Sequence, residues 1–294
     1  MSRLLQELRS KILTFEGPVV ATVTPSNQTG KINCEIIGKY ASRLRSIGVR
    51  GAFIHGTTGE AFTLTNAEKM SLTREWAKHS HSLLTIINVS STSASESIEH
   101  ARLCEELAVD AIAMLPHIYY RPKDESELVE YLKLIASAAP NTPLIYYHFP
   151  ACTHVELNLT KFVLLALREI PSFVGMKYTS GDIIEVQRVL YQFKDSVKIF
   201  MGFEETLLPA LVCGANAAIC ALFNLAECTK AYDVMRDVYV HDLHKALEEQ
   251  KRLALKFKDL SQEGHLFINV RKALKDETNG EISAGAPRPP LSMN

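Results

Sequence analysis

The chain has 294 residues, of which 47% are hydrophobic and 22% charged, and its formal net charge at pH 7 is −1. This composition is typical of a globular protein, and the near-zero charge argues against nucleic acid or an anionic membrane as a partner. The opening residues, MSRLLQELRSKIL, lack the pattern of a secretory signal, and no apolar run reaches the roughly 20 residues of a membrane span. Six scattered cysteines without a C-x-x-C pair fit free thiols in a reducing compartment, so we expect a cytoplasmic protein.

Eight short apolar runs predict buried strands, because most of them are continuously apolar rather than alternating. In chain order these runs are VVATVT from Val19, GAFI from Gly51, LLTIINV from Leu83, AIAML from Ala111, LIYYH from Leu144, FVGMK from Phe173, KIFMG from Lys198 and AAICA from Ala217. Amphipathic helical stretches lie between the runs, and three of them have the spacing of a helix start. The three start signals are Thr65 with Glu68, Ser93 with Glu96, and Asp124 with Glu127. Strand and helix alternate eight times, which predicts an α/β protein with a (β/α)8 barrel; an open doubly wound sheet is the alternative.

Two more helical stretches, HDLHKALEEQKRLALKFKDL and GHLFINVRKAL, follow the eighth unit, and the irregular tail SAGAPRPPLSMN ends the chain. No linker-like break separates the eight strand and helix units from one another. We therefore expect a single domain over 1–294, with the barrel at about 17–240 and a C-terminal helical extension and tail at about 241–294.

Polar clusters follow four of the predicted strands, and the carboxyl ends of the strands are where barrel enzymes carry their chemistry. The clusters are HGTTGE, YYHFPA, KYTSGD and MGFEE, at the ends of the second, fifth, sixth and seventh strands. The candidate site residues within them are Thr57, Thr58, Tyr147, Lys177, Thr179, Gly202, Glu204 and Glu205. Each cluster alone could be structural: a tight turn, a packed aromatic, a strand-end lysine that reaches water, or acids favoured at a helix start. His241 and His244 share a helix face but have no accompanying carboxylate ligands, so we predict no metal site.

A Schiff base would connect these clusters chemically. A lysine in an apolar barrel interior has its charged form disfavoured, so more of it is the nucleophilic amine. Condensed with a 2-oxo acid, Lys177 would accept electrons as the carbon–carbon bond beyond C3 breaks, without an extra cofactor. Thr57 and Thr58 can bind the carboxylate of the acid, and Tyr147 can carry the proton. The polar residues after the sixth and seventh strands are placed to hold the rest of the substrate.

The same motifs resemble the N-acetylneuraminate lyase and dihydrodipicolinate synthase family. The resemblance rests on GTTGE (56–60), YHFPA (147–151), GMKYTSGD (175–182) and GFEE (202–205), and it spans nearly the whole chain from about Gly17. It implies a homotetrameric (β/α)8 aldolase acting on a small 2-oxo acid, with Lys177 as the Schiff-base residue and Tyr147 as the acid/base. Thr57 and Thr58 would then hold the carboxylate. The residues that would contact a sugar-derived chain are Thr179, Gly202, Glu204 and Glu205.

Details of the motifs favour the lyase branch, in which N-acetylneuraminate is cleaved to N-acetylmannosamine and pyruvate. Cys152 stands where the synthase branch has an arginine that holds a second carboxylate. Three departures from the lyase pattern remain: Glu204 replaces an aspartate, Ala221 replaces a serine, and PHIYYRP is one residue longer, so that the relay tyrosine maps loosely to Tyr119. The alternatives are a related aldolase or dehydratase for another 2-oxo acid, such as a 2-keto-3-deoxy sugar acid or 4-hydroxy-2-oxoglutarate, a dihydrodipicolinate synthase, or a catalytically silent barrel.

Overall fold

The structure is a computed structural model and describes residues 2–27, 29–262 and 264–291. Within these residues, eight parallel strands follow one another in chain order around a closed barrel, so the predicted (β/α)8 fold is confirmed. The strands are β1 (Gly17–Ala21), β2 (Gly51–Ile54), β3 (Leu84–Asn88), β4 (Ala111–Met114), β5 (Leu144–His148), β6 (Phe173–Tyr178), β7 (Lys198–Met201) and β8 (Ala217–Cys220). Their residues are buried throughout, which explains why the strand sequences are continuously apolar.

Helices occupy the segments between the strands and the C-terminal extension. They are α1 (Arg3–Leu13), α2 (Ile37–Ser46), α3 (Asn66–Ala77), α4 (Ala94–Glu106), α5 (Glu125–Ala136), α6 (Pro150–Thr153), α7 (Leu159–Glu169), α8 (Ile183–Phe193), α9 (Leu207–Val212), α10 (Ala226–Val238), α11 (Leu243–Gln262) and α12 (Leu266–Glu277). The last two confirm the predicted C-terminal helices. In the described part of the chain, no helix combines the length and the apolar character needed to cross a membrane.

All three predicted helix starts are confirmed, and two of them have a side-chain cap. Thr65 forms a capping box at the start of α3, and the Asp124 side chain accepts a backbone N–H at the start of α5. Ser93 stands directly before α4 at the N-cap position, but no backbone N–H in the described residues of α4 donates to its side chain. The Glu96 carboxylate instead accepts a hydrogen bond from the Ser91 hydroxyl, which satisfies the acid without a capping box.

Proximity of Cα atoms divides the described chain into two compact units. The first comprises residues 2–16 and 86–218, and the second comprises residues 17–85 and 219–291. The first unit holds β4 to β7, and the second holds β1, β2 and the C-terminal helices. The single-domain organisation stays a prediction, and the last three residues of the predicted tail lie outside the described residues.

Candidate active site

The pairing of β5 with β6 in the first unit skips one residue. Leu144 pairs with Phe173. The next residue of β5, Ile145, pairs with Gly175, so Val174 is the extra residue of a β-bulge. A Cβ atom on Gly175 would collide with the backbone of β7, and the bulge therefore requires glycine at this position.

The bulge places Lys177 beside Tyr147. The two residues are register partners, so their side chains project from the same face of the sheet. A regular ladder would have paired Lys177 with His148, whose side chain projects from the opposite face. The Lys177 Nζ atom lies 4.2 Å from the centroid of the Tyr147 ring. Both residues are buried, with 4% and 2% of their surface exposed, so the structure brings the predicted amine and phenol side chains together in a secluded setting.

The opposite face of the same strands packs against helices. The Tyr146 ring centroid lies 4.7 Å from that of Phe162 in α7, and the His148 ring stacks on Tyr178 at 5.2 Å. Burial lowers the pKa of His148 to about 4, so this side chain is neutral near pH 7. His148 is accordingly a packing residue.

Thr179 and Gly202 lie next to Lys177. The Thr179 N–H donates to the His148 carbonyl at 2.9 Å, and the Gly202 N–H donates to the Tyr178 carbonyl at 2.7 Å. A Cβ atom on Gly202 would overlap the Thr179 hydroxyl and come within 3.3 Å of Lys177 Cε, so glycine makes room for both side chains. Among the described residues, none forms a hydrogen bond with the buried Thr179 Oγ1. Because an unsatisfied buried hydroxyl is unfavourable, this atom is suited to bind a polar group of a substrate.

The other predicted residues of the first unit lie in different settings. Glu204 and Glu205 are in the single 3₁₀ turn Glu204–Thr206 after β7, where Glu204 is buried and Glu205 is exposed. Tyr119 is 77% exposed and contacts the ring of Tyr120 edge to face at 4.9 Å. The structure does not test substrate contact by either glutamate or a relay role for Tyr119, which stay predictions.

Two further positions that separate this chain from the family patterns, Cys152 and Ala221, differ in burial. Cys152 is exposed in α6, whereas Ala221 is buried immediately after β8 in the second unit. A small apolar residue at a buried strand end offers a substrate no side-chain hydrogen bond.

The Gly-Thr-Thr-Gly-Glu segment of the second unit forms a tight turn after β2. The Gly59 N–H donates to the Gly56 carbonyl at 3.1 Å, and the Glu60 N–H donates to the Thr57 carbonyl at 3.0 Å. Thr58 is buried and Thr57 is partly exposed. The predicted role of both threonines in carboxylate binding stays a prediction.

Sequence reasoning missed the partners of Glu60. Its side chain forms an ion pair with Arg271 of α12, and one carboxylate oxygen accepts the backbone N–H of Arg288 at 3.0 Å. A glutamate that ends a glycine-rich turn and two C-terminal arginines were visible in the sequence, but nothing in their spacing indicated the pairing.

A metal site was not expected. In residues 2–27, 29–262 and 264–291, no three His, Cys, Asp or Glu side chains are grouped so as to hold an ion. The Tyr147 phenol and the Thr179 hydroxyl, both close to Lys177, suit an organic substrate better than a cation.

A closed parallel barrel with its polar residues at the strand ends is the architecture of the (β/α)8-barrel enzymes. Within that class, the chain belongs to the dihydrodipicolinate synthetase family, whose sequence profile matches residues 14–293. The resemblance read from the four motifs is therefore confirmed.

Named relatives are N-acetylneuraminate lyases. The chain is 32% identical to the human N-acetylneuraminate lyase over 281 residues, which cover 94% of this chain and 87% of the human protein. It is 30% identical to the mouse enzyme with the same coverage. The solved N-acetylneuraminate lyase of Aliivibrio salmonicida superposes with a TM-score of 0.88 at 28% identity, covering 95% of this chain and 91% of that one.

Proposed function

We propose that this protein is a Schiff-base aldolase that cleaves N-acetylneuraminate to N-acetylmannosamine and pyruvate. The observation that carries the proposal is the buried pair of Lys177 and Tyr147, with the amine 4.2 Å from the phenol ring. Membership of the dihydrodipicolinate synthetase family and similarity to N-acetylneuraminate lyases support the choice of substrate.

In the first step, the neutral Lys177 amine attacks the C2 carbonyl of the 2-oxo acid, and loss of water gives an imine. Burial of the lysine supports this step, since it favours the uncharged amine that acts as nucleophile. The protonated imine then accepts the electron pair released when the C3–C4 bond breaks. An enamine of pyruvate remains on the lysine while the aldehyde product leaves.

Tyr147 is proposed to carry the protons of this sequence. Its ring is the immediate neighbour of the Lys177 amine, so its hydroxyl belongs to the same buried region as the reacting carbons. The phenolate would take the proton of the C4 hydroxyl during cleavage, and the phenol would return it to C3 of the enamine. Hydrolysis of the resulting imine then releases pyruvate and regenerates Lys177, without an additional cofactor.

The remaining residues are proposed to bind the ends of the substrate. Thr57 and Thr58 would hold the carboxylate, an assignment that rests on the sequence motif and the family. The buried Thr179 hydroxyl, which no described residue engages, would accept or donate a hydrogen bond to the sugar-derived chain. Gly202, Glu204 and Glu205 complete the proposed substrate contacts.

Borohydride trapping with pyruvate tests the chemistry directly. Reduction should add one pyruvate to the chain, and peptide mass spectrometry should locate it at Lys177. The variant Lys177→Met should take no label. Lys198→Met is the matched control, because Lys198 is also a buried strand lysine of the first unit and should leave labelling intact. Labelling that persists in Lys177→Met would refute the assignment.

A second candidate keeps the same imine but uses another 2-oxo acid, such as a 2-keto-3-deoxy sugar acid or 4-hydroxy-2-oxoglutarate. The buried Glu204 and the buried Ala221, both departures from the lyase pattern, favour it. The test compares kcat/KM for each acid, measured from the rate of pyruvate release. Faster turnover of a non-sialic acid would select the second candidate and leave the Schiff base in place.

We further propose, from the family resemblance, that the protein is a cytoplasmic homotetramer. Light scattering after gel filtration gives the mass directly. A single species at the mass of one chain at assay concentration would contradict the tetramer without affecting the proposed chemistry.

A further inference from the structure

The glutamate that closes the Gly56–Glu60 turn is held from the C-terminal segment. Glu60 has the left-handed backbone conformation, with φ of 54°, and is 7% exposed. One carboxylate oxygen pairs with Arg271, and the other accepts the backbone N–H of Arg288 at 3.0 Å. A left-handed conformation is uncommon for a glutamate and persists where surrounding contacts hold it.

Arg271 is itself fixed on several sides. It is 6% exposed, and besides the ion pair with Glu60 its Nη2 donates to the carbonyls of Ala284 and Ala286, the latter at 3.1 Å. Burial, reinforced by the charge of Arg288, lowers the pKa of Arg271 to about 10, so it stays protonated at neutral pH. Loss of Arg271 would therefore leave the buried Glu60 side chain without the cation that it contacts.

Arg288 connects the same tail to the helix that follows the turn. Its guanidinium binds both carboxylate oxygens of Glu68 at 2.7 and 2.8 Å, and it donates to the Thr63 carbonyl at 3.3 Å and the Gly30 carbonyl at 2.6 Å. This two-pronged contact fixes direction as well as distance. Arg288, chiefly through its hydrogen bond, lowers the pKa of Glu68 to about 2, so the pair stays ionic at neutral pH.

We propose that Arg271 and Arg288 are positioning residues that hold Glu60 and thereby set the affinity of the Thr57–Thr58 turn for the substrate carboxylate. The connection is short, because the Glu60 N–H donates to the Thr57 carbonyl at 3.0 Å. If Glu60 shifted, this hydrogen bond would transmit the shift to the backbone of the turn. The inference rests on the proposed function and adds to it a determinant that lies outside the four motifs.

A purely stabilising role for the two arginines makes a different prediction from a positioning role. Loss of stability would reduce the amount of folded protein without changing the pyruvate concentration at which the folded fraction is half-saturated. Loss of positioning would raise that concentration while the maximal extent of imine trapping stays the same.

The experiment compares Arg271→Gln with the matched control Arg43→Gln. Arg43 of α2 also pairs with a carboxylate of α12, Glu277 at 2.5 Å, and donates to the Asn224 carbonyl, but it lies outside the Glu60 contacts. Borohydride trapping is measured as a function of pyruvate concentration on folded protein. In Arg271→Gln, we expect the half-saturating pyruvate concentration to rise about tenfold, which corresponds to the loss of one hydrogen bond to a charged group. In Arg43→Gln, it should change less than about twofold. Arg271→Lys should recover part of the affinity.

Hydrogen exchange provides a readout that needs no substrate. Amides of residues 56–64 should exchange faster in Arg271→Gln than in wild type and should be unchanged in Arg43→Gln. The positioning role would be overturned if the half-saturating pyruvate concentration rose equally in the two variants. It would also be overturned if the amide exchange rates in Arg271→Gln matched those of wild type. A wild-type chain that takes no pyruvate label would instead refute the proposed function, and the exchange rates would still decide whether Arg271 anchors the turn.

Discussion

Two buried lysines in the first unit, Lys177 at the carboxyl end of β6 and Lys198 at the amino end of β7, have different surroundings. They are 4% and 8% exposed, respectively. Lys198 Nζ donates to Asn216 Oδ1 at 2.6 Å, and the Asn216 amide donates to Glu16 at 2.5 Å. Lys177 lies instead beside the Tyr147 ring, with a hydroxyl that no described residue engages close by.

The comparison teaches that burial alone does not make a reactive lysine. Burial lowers the pKa of Lys198 to about 8, so it has a larger share of neutral amine than an exposed lysine. The Lys198 amine, however, donates a hydrogen bond to an amide oxygen. Lys198 also lies at the amino end of its strand, where barrel residues contribute to stability rather than to chemistry. A reactive lysine additionally needs a proton carrier beside it, which is the role proposed for Tyr147 next to Lys177.

The most severe test replaces each lysine by methionine, which removes the amine and roughly keeps the volume. Lys177→Met should lower kcat for N-acetylneuraminate cleavage by at least about a thousandfold, because the covalent route is lost. Lys198→Met should stay within about threefold of wild type, since no step uses its amine. Pyruvate release measures both, and equal losses in the two variants would remove the distinction between them.

Tyr147→Phe separates the proposed proton carrier from the proposed nucleophile, Lys177. We expect kcat to fall by about 100- to 10,000-fold, the usual contribution of a general acid/base, while borohydride still traps pyruvate on Lys177. Steady-state turnover and peptide mass spectrometry give the two readouts. Unchanged kcat in this variant would show that another group moves the proton.

The polar neighbours of the two lysines should respond in opposite ways. Thr179→Val should lower kcat/KM about tenfold through loss of one substrate hydrogen bond, with little change in stability. Asn216→Leu should lower the free energy of unfolding by about 1–3 kcal/mol, because Lys198 is left buried without its acceptor, and should leave kcat/KM unchanged. Urea titration and steady-state kinetics measure the two quantities, and a reversed pattern would contradict both roles.

The pH dependence of stability sharpens the assignment of Lys198. Its folded-state pKa of about 8 lies below the value of about 10.4 in an unfolded chain, so between these values the unfolded state binds more protons. The contribution of Lys198 to the free energy of unfolding should therefore rise with pH across that window. The measurement is the difference between wild type and Lys198→Met in denaturant titrations at several pH values. A difference that is flat or falls with pH would mean that Lys198 is not desolvated.

The strands and the position of Lys177 could be predicted because they depend on local sequence. Each buried strand is a continuous apolar run, and FVGMK shows directly that a lysine ends such a run. The helix starts at Thr65 and Asp124 could be predicted for the same reason, because a capping residue and its partner are only three residues apart.

The remaining features depend on contacts between distant parts of the chain. Glu60 and Arg271 are far apart in sequence, and neither residue type identifies its partner. The bulge at Val174 was equally hidden, because Val-Gly within an apolar run fits a regular strand as well as an irregular one. The absence of a capping box at Ser93 was hidden as well, since Glu96 accepts a hydrogen bond from the Ser91 hydroxyl instead.

The bulge in β6 has a consequence for protein engineering. If Lys177 alone were grafted onto a regular strand of another barrel, it would pair with the residue that corresponds to His148, not with the one that corresponds to Tyr147. The graft must therefore include Val174 and Gly175. Equally, a mutation that gives Gly175 a side chain would disturb the pairing of Lys177 with Tyr147 from two positions away, with both residues still present in the sequence.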